Sequence, residues 1–194
     1  YDDGYLRIQQ MNNQLINSQR ALIKSNKQLK EVLKQIREAN STIALLERDE
    51  LTDLYNASAF YKKAEKMITD HPDTAWEVII LDIDRFKLVN ELFGRAAGDR
   101  LIKSMSVIMQ GLEHAEEGIF ARIFADTFYV LMPQKIQFYN ILSDKMSAFL
   151  ENYPLPINLH EKVGVYFIED KTLSIEKMCD RARLAMDRLK QQSG

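Results

Sequence analysis

Along the first 48 positions the chain repeats at alternating spacings of three and four through Ile8, Met11, Leu15, Ser18, Leu22, Ser25, Leu29, Val32, Ile36, Ala39, Ile43 and Leu46. A sustained period of 3.5 over roughly six heptads is the pattern of helices wound around one another. The stretch has no Pro, and its only Gly is Gly4. A helix of ~40 residues would be ~60 Å long, more than a domain of this size can cover. A parallel two-stranded coiled coil over residues 1–48 is therefore predicted, ahead of a single amphipathic helix lying on its own domain. Ser18 and Ser25 soften the middle of the seam, which suits either a rod that changes register or oligomeric state, or plain marginal stability. Ile16, Ile23 and Leu33 lie off the seam and point to further helix contacts.

From Asp49 the pattern changes, and residues 49–194 form the predicted globular domain. Asp49-Glu50-Leu51-Thr52-Asp53-Leu54-Tyr55-Asn56 is rich in turn formers, and Asn56 is placed to cap a helix over 57–70. Pro72 closes that helix. Residues 77–81 are apolar on both sides, which predicts a strand in the middle of a covered sheet. A short helix over 86–93, a stop at Gly94 and a longer helix from about Gly98 to Gly111 follow. Residues 120–124 and 128–132 read as a hairpin. A helix over 136–151, a strand near 163–168 and a last helix over 174–192 complete the series. Helices and strands alternating with both a crossover and a hairpin predict an α/β fold with a mixed or antiparallel sheet.

Composition narrows the function classes. The chain has 194 residues, 46% hydrophobic and 28% charged, with a net charge of −2, so nothing draws it to nucleic acid or acidic membranes. Cys179 is alone, which fits a reducing cytoplasmic setting. His71, His114 and His160 lack metal-ligand spacing, which argues against zinc. Apolar runs reach about five residues, far short of the ~20 of a membrane span. The start at Tyr1 predicts a fragment of a longer protein, and a membrane anchor elsewhere in that protein stays among the expectations.

Three carboxylates carry the candidate chemistry. Asp82 and Asp84 share one side of a strand terminus because side chains alternate. With Asp126 in the facing hairpin they supply oxygen ligands suited to Mg²⁺, which needs only one or two protein carboxylates. Asp84 reads first as the N-cap of the helix beginning near Phe86 and only second as a ligand. Asp82 has no such local duty, and its burial without a partner would be costly. Asp126 has an ordinary alternative as a hairpin-turn residue.

The spacing of the whole set resembles the GGDEF domains of diguanylate cyclases. The similarity runs through Asp49-x-Leu51-Thr52-Asp53-Leu54-Tyr55-Asn56, then Asp82-Ile83-Asp84-Arg85-Phe86-Lys87-Leu88-Val89-Asn90. It continues through Phe93-Gly94-x-x-x-Gly98-Asp99, Arg122-x-x-x-Asp126-x-Phe128 and the closing stretch from Cys179 to Lys190. It is especially close to GGDEF domains that precede EAL phosphodiesterase domains. The resemblance implies a palm fold like that of nucleotide cyclases behind a helical stalk. It further implies Mg²⁺ at Asp82, the Ile83 carbonyl and Asp126, and guanine readout by Asn90 and Asp99. Phe86 and Lys87 then lie in the stretch facing the nucleotide, Lys190 contacts phosphate, and Asp126 and Lys87 carry whatever catalysis remains.

The departures matter as much. The signature pentad reads Phe124-Ala125-Asp126-Thr127-Phe128. Two glycines that permit close backbone approach are replaced, and Ala125 costs ~1 kcal/mol or more if held at positive φ. Thr127 removes an acidic side chain, and Arg95 stands where a His is usual. The family's Arg-x-x-Asp product clamp falls on Ala115 and Gly118, without the bidentate Arg such binding uses. The leading expectation is a degenerate, GTP-binding regulatory domain with little or no cyclase activity, dimerised by its stalk and working on a tethered EAL domain. An active cyclase joining two GTP into cyclic di-GMP is the second expectation, and a nucleotide-free dimerisation module the third.

Overall fold

The N-terminal repeat folds as one continuous helix, α1 (Asp2–Leu46), along which every described large apolar side chain is exposed. The computed structural model describes residues 2–115, 117–134 and 136–192. The chain divides into two units, Tyr1–Leu46 and Glu47–Gly194. At 1.5 Å per residue α1 is about 68 Å long, and no second element of its own unit covers its stripe. Among the described residues no helix is long and apolar enough to cross a membrane.

In the second unit α2 (Ala57–Asp70) begins where the Asn56 side chain accepts a hydrogen bond from the Ala59 N–H at 3.0 Å. It stops at His71, ahead of Pro72. Next come β1 (Trp76–Ile83), α3 (Phe86–Phe93), α4 (Arg95–Ala115), β2 (Ile119–Phe124), β3 (Thr127–Pro133), α5 (Ile136–Glu151), β4 (Glu161–Phe167) and α6 (Ile175–Gln192). The sheet order is β2-β3-β1-β4, and each pairing is antiparallel. A parallel bridge joins Tyr55 to Ala121 outside the named strands.

Helices cover both faces of the central strand, which is why β1 shows no polar alternation over 78–81. Trp76, Val78 and Ile80 join Phe60 and Met178 in the core under α2 and α6. Ile79, Leu81 and Ile83 join Val89, Met105 and Met146 in the core under α3, α4 and α5. Phe60, Phe120 and Phe128 are wholly buried, each contributing roughly 2–3 kcal/mol of transfer free energy.

Two expectations are corrected by packing. α4 starts at Arg95 rather than near Gly98, because Gly94 at φ 80 suffices to end α3. Gly98 then falls inside α4, where a Cβ would stand 2.1 Å from Asn90 Oδ1 and 3.1 Å from the Phe86 ring. A side chain there would have to displace the Asn90 amide and press on the Phe86 ring. Asp84 does not cap α3 either. The residue before that helix is Arg85, at φ 63 and without a side-chain cap bond. The Asp84 carboxylate instead pairs with Lys162 of β4, and with Arg85 Nε at 3.8 Å. A cation from the neighbouring strand outcompetes the local cap.

Candidate functional site

The β1–β3 register runs from Trp76 opposite Pro133 to Leu81 opposite Phe128, so the end of β1 arrives beside the β2–β3 turn. There Thr127 Oγ1 donates to Asp82 Oδ1 at 2.6 Å. The Ile83 N–H donates to Asp126 Oδ2 at 3.2 Å. Burial foremost, and then the charge of Asp82, pushes the Asp126 carboxyl above the ordinary carboxylate range. Hydrogen bonds from the backbone and the charge of Lys162 oppose that rise. Asp84 is held below its usual range, chiefly by the hydrogen bond from Lys162.

The altered pentad keeps a glycine-like turn. Ala125 has φ 46, in the left-handed region, and its carbonyl accepts from Arg122 Nε at 2.8 Å. The same guanidinium reaches both Asp49 oxygens, at 3.1 and 3.2 Å. Asp49 also accepts from the Thr52 N–H and hydroxyl, at 3.0 and 2.7 Å. The turn-rich octet after the stalk is thereby tied to the hairpin. The Phe124 ring, 54% exposed, lies 5.7 Å from the Arg183 guanidinium of α6.

The expected base readers lie on α3 and α4. Asn90 is half-buried, its amide lodged against Gly98. Among the described residues no protein group hydrogen-bonds the Asn90 amide or the Asp99 carboxylate, and Asp99 is exposed. Phe86 is buried beneath them. Lys87 projects into solvent and pairs with Glu91 at 3.5 Å. Lys190 falls on α6, but its side chain lies outside the described set. At Gly118 a Cβ would meet the Leu131 carbonyl and the Phe120 ring at 3.1 Å, so a clamp carboxylate there would press on both. The Ala115 side chain is outside the described set.

Sequence reasoning missed the cations. Lys162 sits directly opposite Asp82 in the β1–β4 register, and Arg183 hydrogen-bonds the Tyr129 hydroxyl within electrostatic reach of Asp82. Lys162 lies outside every motif, and Arg183 lies in the closing stretch with no role assigned to it there; each comes to the carboxylates from an element far along the chain. Among the described residues no group of three or more His, Cys, Asp or Glu could hold one ion. Two carboxylates and a backbone carbonyl still suit magnesium, which keeps several waters. One oxygen of Asp82 accepts from Thr127, and one of Asp126 accepts from the Ile83 N–H. A cleft of about 470 Å³ opens elsewhere, beside α2, lined by Arg48, Tyr55, Lys63, Met67 and His71.

The sequence and the fold that hold this site have counterparts in known proteins. The sequence model described as "Diguanylate cyclase, GGDEF domain" matches residues 46–194. The chain belongs to the GGDEF family. It is 33% identical over 85 residues to the probable diguanylate cyclase DgcT of Escherichia coli, covering 44% of this chain and 19% of that protein. It is 31% identical over 122 residues to the biofilm architecture maintenance protein MbaA of Vibrio cholerae, covering 57% and 15%. The chain thus spans about a fifth or less of these relatives. The coiled coil and GGDEF domain of DgcB from Caulobacter crescentus, solved with c-di-GMP, superposes with a TM-score of 0.71 at 19% identity, over 87% of this chain and 93% of that one. The diguanylate cyclase SiaD of Pseudomonas aeruginosa, solved with its activator SiaC, gives 0.71 at 22% identity over 98% and 78%. At these identities the structures establish a shared fold, and membership of the GGDEF family places the chain in cyclic di-GMP signalling.

Proposed function

We propose that this GGDEF domain recognises GTP, makes little or no cyclic di-GMP, and serves as a regulatory module in a dimer held by its stalk, in the cytoplasm. Its output is a tethered EAL phosphodiesterase domain. The observation that carries this reading is that Asn90 and Asp99, on the adjoining helices α3 and α4, have no protein hydrogen-bond partner among the described residues, while the hairpin is altered at Phe124, Ala125 and Thr127. Asn90 can both donate to and accept from a guanine edge, and Asp99 accepts from its N1–H and N2–H donors. Asp82, the Ile83 carbonyl and Asp126 would hold Mg²⁺, which when bound polarises phosphate and favours hydroxyl deprotonation. Phe86 supports the base pocket from below, and Lys87 and Lys190 supply positive charge toward phosphate. The hydroxyl of Thr127 draws on Asp82 where the family carries a further acid, so less negative charge is available to organise reacting groups. Catalysis is sensitive to such small misplacements.

GTP titrated into the purified chain with Mg²⁺, alongside a product assay, tests this. Saturable binding with negligible product is expected. Absence of binding would sink the recognition reading and leave a nucleotide-free dimerisation module. A second reading, an active cyclase, draws support from Ala125, whose left-handed backbone preserves the turn a glycine would make. It predicts steady accumulation of cyclic di-GMP in the same assay.

A further inference from the structure

The carboxylates at the end of β1 are surrounded by the protein's own cations. Asp84 is paired with Lys162 and, at 3.8 Å, with Arg85. Lys162 also stands opposite Asp82 in register, on the same face of the sheet. From the facing helix, Arg183 is fixed by the Tyr129 hydroxyl and lies 5.7 Å from the Phe124 ring. Tyr129 pairs with Ile80, two residues before Asp82 and on its face, so the guanidinium is held along the same edge. Arg122 does not enter this balance, because its charge is matched by Asp49. The carboxylates of Asp82, Asp84 and Asp126 are thus set against three cations, Lys162, Arg85 and Arg183.

A divalent ion gains affinity from uncompensated negative charge within a few ångströms. Here Thr127 occupies one oxygen of Asp82, the Ile83 N–H occupies one of Asp126, and fixed cations offset the charge that remains. A polyphosphate would restore the missing negative charge, and the same cations would attract it. We propose that Lys162, Arg85 and Arg183 make divalent-ion uptake conditional on nucleotide: the ion is held together with a polyphosphate and hardly at all without one. This rests on the GTP-recognition reading above and adds the order in which the ligands are held.

Mn²⁺ binding to the full chain, followed by electron paramagnetic resonance with and without a non-hydrolysable GTP analogue, tests it directly. Wild type should take up little Mn²⁺ alone and at least about tenfold more tightly bound Mn²⁺ with the analogue. Lys162→Met combined with Arg183→Met should tighten Mn²⁺ alone by on the order of tenfold or more, and Arg183→Lys should behave as wild type because it retains the charge. Circular dichroism keeps folded variants apart from damaged ones, and Arg183→Met alone is the fallback if the double variant does not fold. Equal Mn²⁺ uptake with and without the analogue, or no gain on removing the cations, overturns conditional uptake while calorimetric GTP binding still stands. Failure of GTP to bind under any ionic condition overturns the recognition reading and this inference with it.

Discussion

At the scale of single residues, the left-handed backbone at Ala125 (φ 46) stores strain that a glycine would not. Ala125→Gly should raise unfolding free energy by about 1 kcal/mol, read from urea midpoints at constant slope. No gain would mean that the Arg122 bond to its carbonyl relaxes the turn. Glu77 gives a pH prediction. It is 2% exposed, one carboxylate oxygen has no hydrogen-bond partner, and burial pushes its pKa up to about 7. The folded state therefore binds the proton more tightly than the unfolded one. The stability linked to that proton is complete below the unfolded value near 4.5 and is lost as pH rises towards about 7. The loss should be on the order of 3 kcal/mol between pH 4.5 and 8. Glu77→Gln should flatten it, and parallel urea titrations at those two pH values would expose an unchanged slope. Residue identity alone conveyed part of this site. The nearness of Asp82 and Asp126 was legible because one closes a strand and the other sits in the facing turn, each within a dense motif. Asp84 was misread because the cap signal is local, whereas its partner Lys162 is brought in by strand pairing.

At the scale of elements, the α3–α4 corner links fold to recognition. Helix limits were legible where punctuation is local: Asn56 opens α2, Pro72 follows its end, and Gly94 stops α3. The start of α4 was not, because a glycine inside a helix resembles a boundary until its neighbour is known. Gly98 is there for contact, since a Cβ would stand 2.1 Å from Asn90 Oδ1. Gly98→Ala should therefore push the Asn90 amide aside and weaken GTP binding at least about tenfold, although alanine favours a helix interior by about 1 kcal/mol. On an Asn90→Ala background the same change should cost little further affinity, because the obstructing amide is gone and only the Phe86 ring at 3.1 Å has to give. Calorimetry and thermal melts of the four proteins complete the cycle. Additive affinity losses would mean that Gly98 acts on GTP by a route other than Asn90.

At the scale of the whole molecule, α1 is the element whose role its own unit cannot explain. Its apolar stripe is exposed from Ile8 to Leu46, and an isolated helix gains most of its stability in water only by covering such a face. In the proposed dimer a second copy of the chain would supply a matching stripe, with Leu15, Leu22, Leu29 and Ile36 at successive a positions. Replacing Leu22 and Leu29 by Asp places charges in the seam that have no partner and removes apolar contact, at roughly 2–3 kcal/mol or more for each site. The dimer dissociation constant should rise at least about a hundredfold in sedimentation equilibrium, with a matching loss of helical signal. Residues 47–194 have their own two-layered core, so their cooperative unfolding should persist in the monomer. Ser18→Leu with Ser25→Leu should do the reverse and raise the melting temperature of the helical signal, since both serines fall at d positions. If the Asp variants remain dimeric, the stripe is not the dimer seam, and the off-seam residues Ile16, Ile23 and Leu33 become the face to alter next.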